Sequence, residues 1–173
     1  MFLDLIRKRR STRKFKNRPV ETDKIEILKE AALRSPSSRN LNPWEFIFVT
    51  DPYALEQLSL AKAHGSGFLK GAPLGIVVIA DPSRCDVWIE DASVASTYLF
   101  LAAEDMGLGE CWIQIRKREN SAGASSEEIV RKILKIPGHY RVESIIALGY
   151  ADEEKTPVPK ENLEWQKIHQ DFY

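Results

Sequence analysis

The chain is short of the residues from which most catalytic sites are built. Its 173 residues include two cysteines, Cys85 and Cys111, and three histidines, His64, His139 and His169. Two cysteines are too few for a disulfide framework, and with scattered imidazoles they make no zinc site alone. Free thiols in a reducing compartment are expected, and the protein is read as cytoplasmic. No apolar run reaches membrane-spanning length, and Met1-Phe2-Leu3-Asp4 lacks the apolar core of a signal peptide. No membrane partner is expected.

Phosphate and nucleotide signatures are missing too. There is no glycine-rich loop ending in Gly-Lys-Ser/Thr and no nucleophile elbow. Gly107-Leu108-Gly109 is followed by Trp112, not glycine, at the third fingerprint position, and it follows a helical pattern rather than a strand. Net charge is absent as well, since 25 basic and 25 acidic side chains cancel. With 43% apolar and 29% charged residues, the composition is that of an ordinary globular protein. Its length is most simply one domain, 1–173, with room for a real core. If such a chain is an enzyme, a cofactor must carry the chemistry.

Against that balance, Arg7 to Arg18 is concentrated: eight of its twelve residues are basic. Such density requires an anionic partner. Ser11 and Thr12 lie inside it, and hydroxyls beside guanidinium groups suit a phosphate better than a carboxylate. A solvated charge run or a nucleic-acid arm has the same composition.

Phe2, Leu3, Leu5 and Ile6 predict a short amphipathic helix that ends in this cluster. After Pro19, Thr22 is the expected cap of a helix burying Ile25, Leu28, Ala31 and Ala32 and ending near Ser35. Pro36 to Pro43 reads as a polar loop, with Trp44 as a core anchor and a strand over 45–50. Asp51-Pro52 opens the next helix. Leu74 to Ala80 is continuously apolar, as in a strand covered on both faces. Trp88 to Met106 predicts the longest helix, with small apolar sides suited to a large core or an interface, stopped by Gly107. A strand over Cys111–Ile115, a helix capped by Ser125-Ser126-Glu127-Glu128 and a strand over Val142–Leu148 follow. Beyond Asp152 the chain should run extended and close with a short docking helix around Leu163, Trp165 and Ile168. The strand–helix–strand order alone points to a layered α/β protein.

Several stretches, in order and covering nearly the whole chain, resemble the nitroreductase family of FMN-dependent oxidoreductases. They are Arg9-Arg10-Ser11-Thr12-Arg13-Lys14-Phe15, Pro36-Ser37-Ser38-Arg39-Asn40-Leu41-Asn42-Pro43-Trp44-Glu45-Phe46, Gly71-Ala72-Pro73, Glu90-Asp91-Ala92-Ser93-Val94-Ala95, Gly107-Leu108-Gly109-Glu110-Cys111-Trp112 and Ala147-Leu148-Gly149-Tyr150. The resemblance implies an α+β fold: a mostly antiparallel sheet flanked by helices, in an entwined homodimer. Residues 151–173 would then pack on the other subunit.

The resemblance also implies roles. Arg9 and Ser11, with Arg10 beside them, match positions that hold the FMN phosphate and ribityl chain. Arg13 matches a basic position near N1 and O2 of the flavin, where a fixed cation stabilises the charge of the reduced ring. Pro36, Ser37, Ser38 and Asn40 match a loop that reaches the flavin from the second subunit. Trp112, Ile113 and Gln114 match the segment along N5, with the Gln114 amide as its expected contact. Three features depart from the family pattern. Asn42 stands where Gln is usual. His64 to Phe68 replaces an Asn and a Lys that contact the pyrimidine edge. A C-terminal Lys-x-Arg pair is missing, leaving Arg116 or Lys155 to complete the phosphate site.

The implied activity is transfer of hydride from NAD(P)H, through flavin N5, to a nitroaromatic, quinone or similar small acceptor, by a ping-pong mechanism. Dehalogenation, flavin fragmentation and flavin or nucleic-acid binding without turnover are the alternatives. Nucleic acid is not the expected partner.

Overall fold

The computed structural model describes residues 1–173. Five α-helices and four strands follow one another: α1 (Phe2–Lys8), α2 (Thr22–Leu33), β1 (Trp44–Val49), α3 (Pro52–Ser59), β2 (Leu74–Ala80), α4 (Trp88–Asp105), β3 (Gly109–Gln114), α5 (Ser126–Leu134) and β4 (Arg141–Gly149). The strands form one sheet in the order β1-β2-β4-β3, and every neighbouring pair is antiparallel. The β2–α4–β3 passage accounts for the α/β expectation. Both strands run antiparallel to β4, so they share a direction, as in a βαβ unit. The last strand enters between them and makes the sheet antiparallel. The α+β architecture implied by the resemblance is the one found.

Every residue of β2 is buried, and so is every residue of β4 except Arg141. Two central strands with continuous apolar sequence need cover on both faces. One face packs Leu55 and Leu58 of α3 and Val130 of α5 against Val77, Ile113 and Ile145. The other packs Leu28 and Ala32 of α2 and Ala92, Leu99 and Ala103 of α4 against Ile76, Val78 and Ile146.

Local signals place the helix starts. Asp51 Oδ1 accepts from the Ala54 amide at 2.7 Å, with Pro52 in the first turn. Ser125 Oγ accepts from the Glu128 amide at 3.4 Å. The expected cap of α2 is corrected: Thr22 is its first helical residue, and Glu21 precedes it without a side-chain cap. The Glu21 carboxylate is already engaged by the Tyr150 hydroxyl at 2.6 Å and by Arg18. Gly107, at φ 72°, takes the left-handed position that ends α4.

The α4 helix buries Ala92, Ala95, Ser96, Leu99 and Ala103 and leaves Val94 and Tyr98 exposed. One further expectation is corrected: the docking helix is absent. In its place are two 3-10 turns, Lys160–Asn162 and Trp165–Lys167, with Trp165, Ile168 and Phe172 exposed.

The segment after α1 is laid along the sheet by the chain leaving it. The Thr12 amide donates to Glu110 O, the Lys16 amide to Tyr150 O, and the Asp152 amide to Lys14 O, each at 2.8 Å. Thr12 packs directly on the first residue of β3. A Cβ on Gly109 would stand 2.5 Å from Thr12 Oγ1, so only glycine admits this approach.

Candidate active site

The basic segment folds around two carboxylates. Arg9, just past α1, places Nη1 3.0 Å from Oε1 of Glu110, the second residue of β3. The Glu110 side chain is wholly buried and its Oε2 has no hydrogen-bond partner. Burial pushes its carboxyl up to about 7, against the opposing pull of Arg9. Without Arg9 the buried carboxyl would have no counter-ion and would be driven further toward its neutral form.

Glu153 organises the other side. Its Oε1 accepts from the Arg13 amide at 2.5 Å and the Lys14 amide at 3.2 Å, and pairs with Lys155 Nζ at 3.0 Å. These contacts hold its carboxyl below the usual range. Lys155 Nζ also donates to Ser11 O at 2.6 Å, and Arg10 donates to Thr156 O. Arg9, Arg10, Ser11, Arg13 and Lys155 are thus gathered at one end of β3. Of these, Arg10 and Lys155 line a cleft of about 350 Å³, together with Thr12, Gly109 and Glu153. The Arg13 guanidinium makes no ion pair and lies 5.9 Å from the Phe68 ring centre. Phe68, left without a role by its sequence, therefore belongs to this group.

The strand β3 continues the site. Glu110 offers its carbonyl outward to Thr12, so by the alternation of strand backbone Trp112 and Gln114 turn their amides toward the same open edge. Ile115, of the opposite parity, donates inward to Glu143 O at 3.1 Å. Trp112 stacks on Phe100 of α4 at 6.2 Å and donates from Nε1 to Gln114 Oε1 at 2.9 Å. Gln114 Nε2 in turn lies 3.3 Å from Glu143 Oε1. The Ile113 side chain is buried on the opposite face, and its backbone shares the inward parity of Ile115. Arg116 stands apart from Lys155, beyond the far end of β3 and 5.7 Å from the Trp88 ring. Six residues of extended chain separate it from Glu110, about 20 Å.

The 36–42 loop is held at the start of α4. The Ser38 amide donates to Asp91 Oδ1 at 2.8 Å, and the Cys85 thiol donates to Asp91 Oδ2 at 3.2 Å. Asp91 is buried in the first turn. Ser37 Oγ donates to Asn42 Oδ1 at 2.7 Å and accepts from the Asn42 amide at 2.9 Å. Arg39, Asn40 and Asn42 all adopt left-handed backbone, at φ 53°, 55° and 45°. For Arg39, which has no local hydrogen-bonding compensation like that of Asn, this costs roughly 1 kcal/mol. Pro36 and Asn40 are exposed, and Ser38 is half-buried. Asp91 is the residue whose part in this loop was missed. An acid in the first turn of a helix is common for dipole reasons alone, so its sequence carried no separate signal.

The nitroreductase family model matches residues 6–65 and 54–150. The solved structure of an FMN-dependent nitroreductase from Clostridium difficile is 45% identical, covers 99% of both chains and superposes with a TM-score of 0.97. A provisionally named NADH dehydrogenase/NAD(P)H nitroreductase of Archaeoglobus fulgidus is 36% identical over 157 residues, 88% of this chain and 87% of its own. An iodotyrosine deiodinase of Thermotoga neapolitana is 28% identical, over 94% of this chain and 95% of its own. The two segments that the family model matches contain the basic segment, the loop before β1 and the edge of β3, and the chain belongs to the nitroreductase family, a family of oxidoreductases.

Proposed function

We propose that this chain is an FMN-dependent oxidoreductase, in which NAD(P)H delivers hydride and a nitroaromatic, quinone or similar small molecule accepts it. FMN held at this site would supply the hydride chemistry, at N5 of its ring. The donor set fits this group. Arg9, Arg10, Ser11 and Lys155 are the types that hold a phosphate. Arg13, free of any ion pair, suits the ring edge where negative charge develops. The outward amides of Trp112 and Gln114 offer donors with no side-chain requirement. Lys155, not Arg116, is the cation we assign to the phosphate, because it stands beside Ser11.

The observation that carries this reading is the gathering of four cations and outward backbone amides along one short edge of β3. Within the basic segment four side chains already have partners in the chain: Arg7 on Asp4, Arg9 on Glu110, Arg10 on the Thr156 carbonyl and Arg18 on Glu21. That arrangement favours a small phosphate over a nucleic-acid backbone.

We assign the working form as a homodimer with Ser38 and Asn40 entering from the partner. An apolar groove of about 810 Å³, lined by Phe2, Leu5, Ala31, Tyr98 and Leu101, and the uncovered side of α4 support a second copy there. The exposed aromatic and aliphatic residues of 151–173 are assigned to that interface. The two free cysteines support a reducing, cytoplasmic setting.

Purified protein should be yellow, and NADH or NADPH oxidation should depend on added acceptor. Donor and acceptor sharing one pocket gives parallel double-reciprocal lines. A colourless protein that does not bind added FMN would overturn the proposal. Reductive dehalogenation is a second reading, supported by the Thermotoga neapolitana relative, and iodotyrosine in the same assay tests it.

A further inference from the structure

Glu110 is hard to account for as structure alone. Its side chain is wholly buried, one oxygen meets Arg9 Nη1 at 3.0 Å, and the other meets no donor. The charged groups facing it are Arg9 from the end of α1 and Glu104 from the last turn of α4, whose carboxylate repels it. Arg13 and Lys155 lie farther round, about the Cys111 thiol. Arg9 is therefore its sole close counter-ion.

Arg9 is also, on the reading above, a ligand of the FMN phosphate, and the inference rests on that reading. A phosphate monoester near pH 7 carries between about 1.5 and 2 negative charges. Set against Arg9, it stands close to a buried carboxylate that has no other support. Like charges in so confined a site do not both stay ionised. The phosphate gives up its last proton at about pH 6 and has further donors in Arg10, Ser11 and Lys155. The carboxyl, with no donor at Oε2, is the one that yields.

We propose that Glu110 is the internal counter-ion of the phosphate site and takes up one proton from solvent when a phosphate ester engages Arg9. Oε2 receives the proton; no other bond is made or broken. Glu110 thus keeps Arg9 in place while the site is empty and becomes neutral when it fills. Because burial already holds the free carboxyl at about 7, the exchange falls where it can be read.

The test titrates FMN into flavin-free, full-length protein at pH 8, by calorimetry in two buffers of different ionisation enthalpy. There the FMN phosphate is already a dianion and contributes almost no proton change. The wild type is expected to take up between roughly half a proton and one proton per FMN, and its Kd should weaken by up to about tenfold per unit between about pH 7 and 9. Glu110→Gln, nearly the same shape and unable to ionise, should show no uptake and a flat Kd. FMN binding to the wild type without proton uptake overturns the proposal whether or not the variant folds. The same uptake in Glu110→Gln overturns it as well. No FMN binding at all overturns the assignment of the site, and the proposal with it.

Discussion

Arg9 and Ser38 lie at opposite ends of α4. Arg9 reaches Glu110, five residues beyond the end of the helix, whereas the Ser38 amide is fixed to Asp91 in its first turn. From Asp91 to Asp105 the helix rises about 20 Å. Two groups that both match flavin-binding positions are therefore too far apart in one chain to touch the same phosphate-and-ribityl end of a ligand. Two chains crossing along α4 would bring one end of each to the other.

Arg13→Ala should retain FMN, since Arg9, Arg10, Ser11 and Lys155 remain, but lower the reduction potential of the bound flavin. Losing a fixed charge worth about 1.4 kcal/mol to the reduced ring corresponds to about 30 mV for a two-electron couple. Equilibration of the holoprotein with a reference dye measures this. An unchanged potential would remove Arg13 from the ring edge.

Gly109→Ala should weaken FMN binding although residue 109 need not touch the ligand. The added Cβ would meet Thr12 Oγ1 at 2.5 Å and Thr12 Cβ at 2.8 Å. Thr12 would have to move, taking Ser11 and Arg9 with it. Overpacking of this kind costs about 1–3 kcal/mol. Fluorescence titration with FMN reads the effect, and wild-type affinity in a folded variant would contradict it.

Stability of the flavin-free protein should carry a pH signature from Glu110. Its carboxyl lies higher in the folded chain, at about 7, than the 4.5 ordinary for glutamate. The folded state thus binds more protons across this interval. The contribution is fully present below about pH 4.5 and is lost as pH rises through about 7. The shift corresponds to roughly 3 kcal/mol. Urea unfolding of the wild type and Glu110→Gln across this window isolates the effect by difference. Other buried carboxyls, such as Glu143, move in the same direction in both proteins and cancel. Parallel stability curves would mean that Glu110 is no more costly to ionise than a surface acid.

The legible parts of the sequence were those whose cause is local. The Asp51-Pro52 cap, the Ser125 cap, the Gly107 stop and the seven buried residues of β2 all follow from neighbours within a few positions. The acids that organise the site were not legible. Glu110, Glu153 and Asp91 matter because of Arg9, the Arg13 amide and the Ser38 amide, at separations of 101, 140 and 53 residues. No periodicity reports such pairings. The cap of α2 lies one residue before the expected Thr22, and the Glu21 carboxylate there is held by Tyr150, 129 residues away. The tail misled differently. Of Leu163, Trp165 and Ile168 only the last two stand at a helical spacing, all three are exposed, and no face of this chain fixes them into a helix. The composition of the basic segment suits a nucleic-acid backbone as well as a phosphate, and only the resemblance chose between them.

The separation of Arg9 from Ser38 makes the last prediction. Arg9→Glu sets an anion against the phosphate and should release FMN. Replacing Ser38 and Asn40 together should disable the other half of the site. Each variant alone is expected to be inactive. Co-expressed, they form mixed dimers in which two-fold symmetry places both lesions in one site and neither in the other. With random pairing about half of the dimers are mixed, and half of their sites are intact. Roughly a quarter of all sites should then recover both FMN and turnover. If each site were built within a single chain, every site would keep a lesion and none would recover. Differently tagged subunits, purified through both tags, isolate the mixed dimers and raise the expected occupancy to about one site in two. Absence of flavin in those doubly purified dimers, with both parents folded, would rule out a site shared between chains.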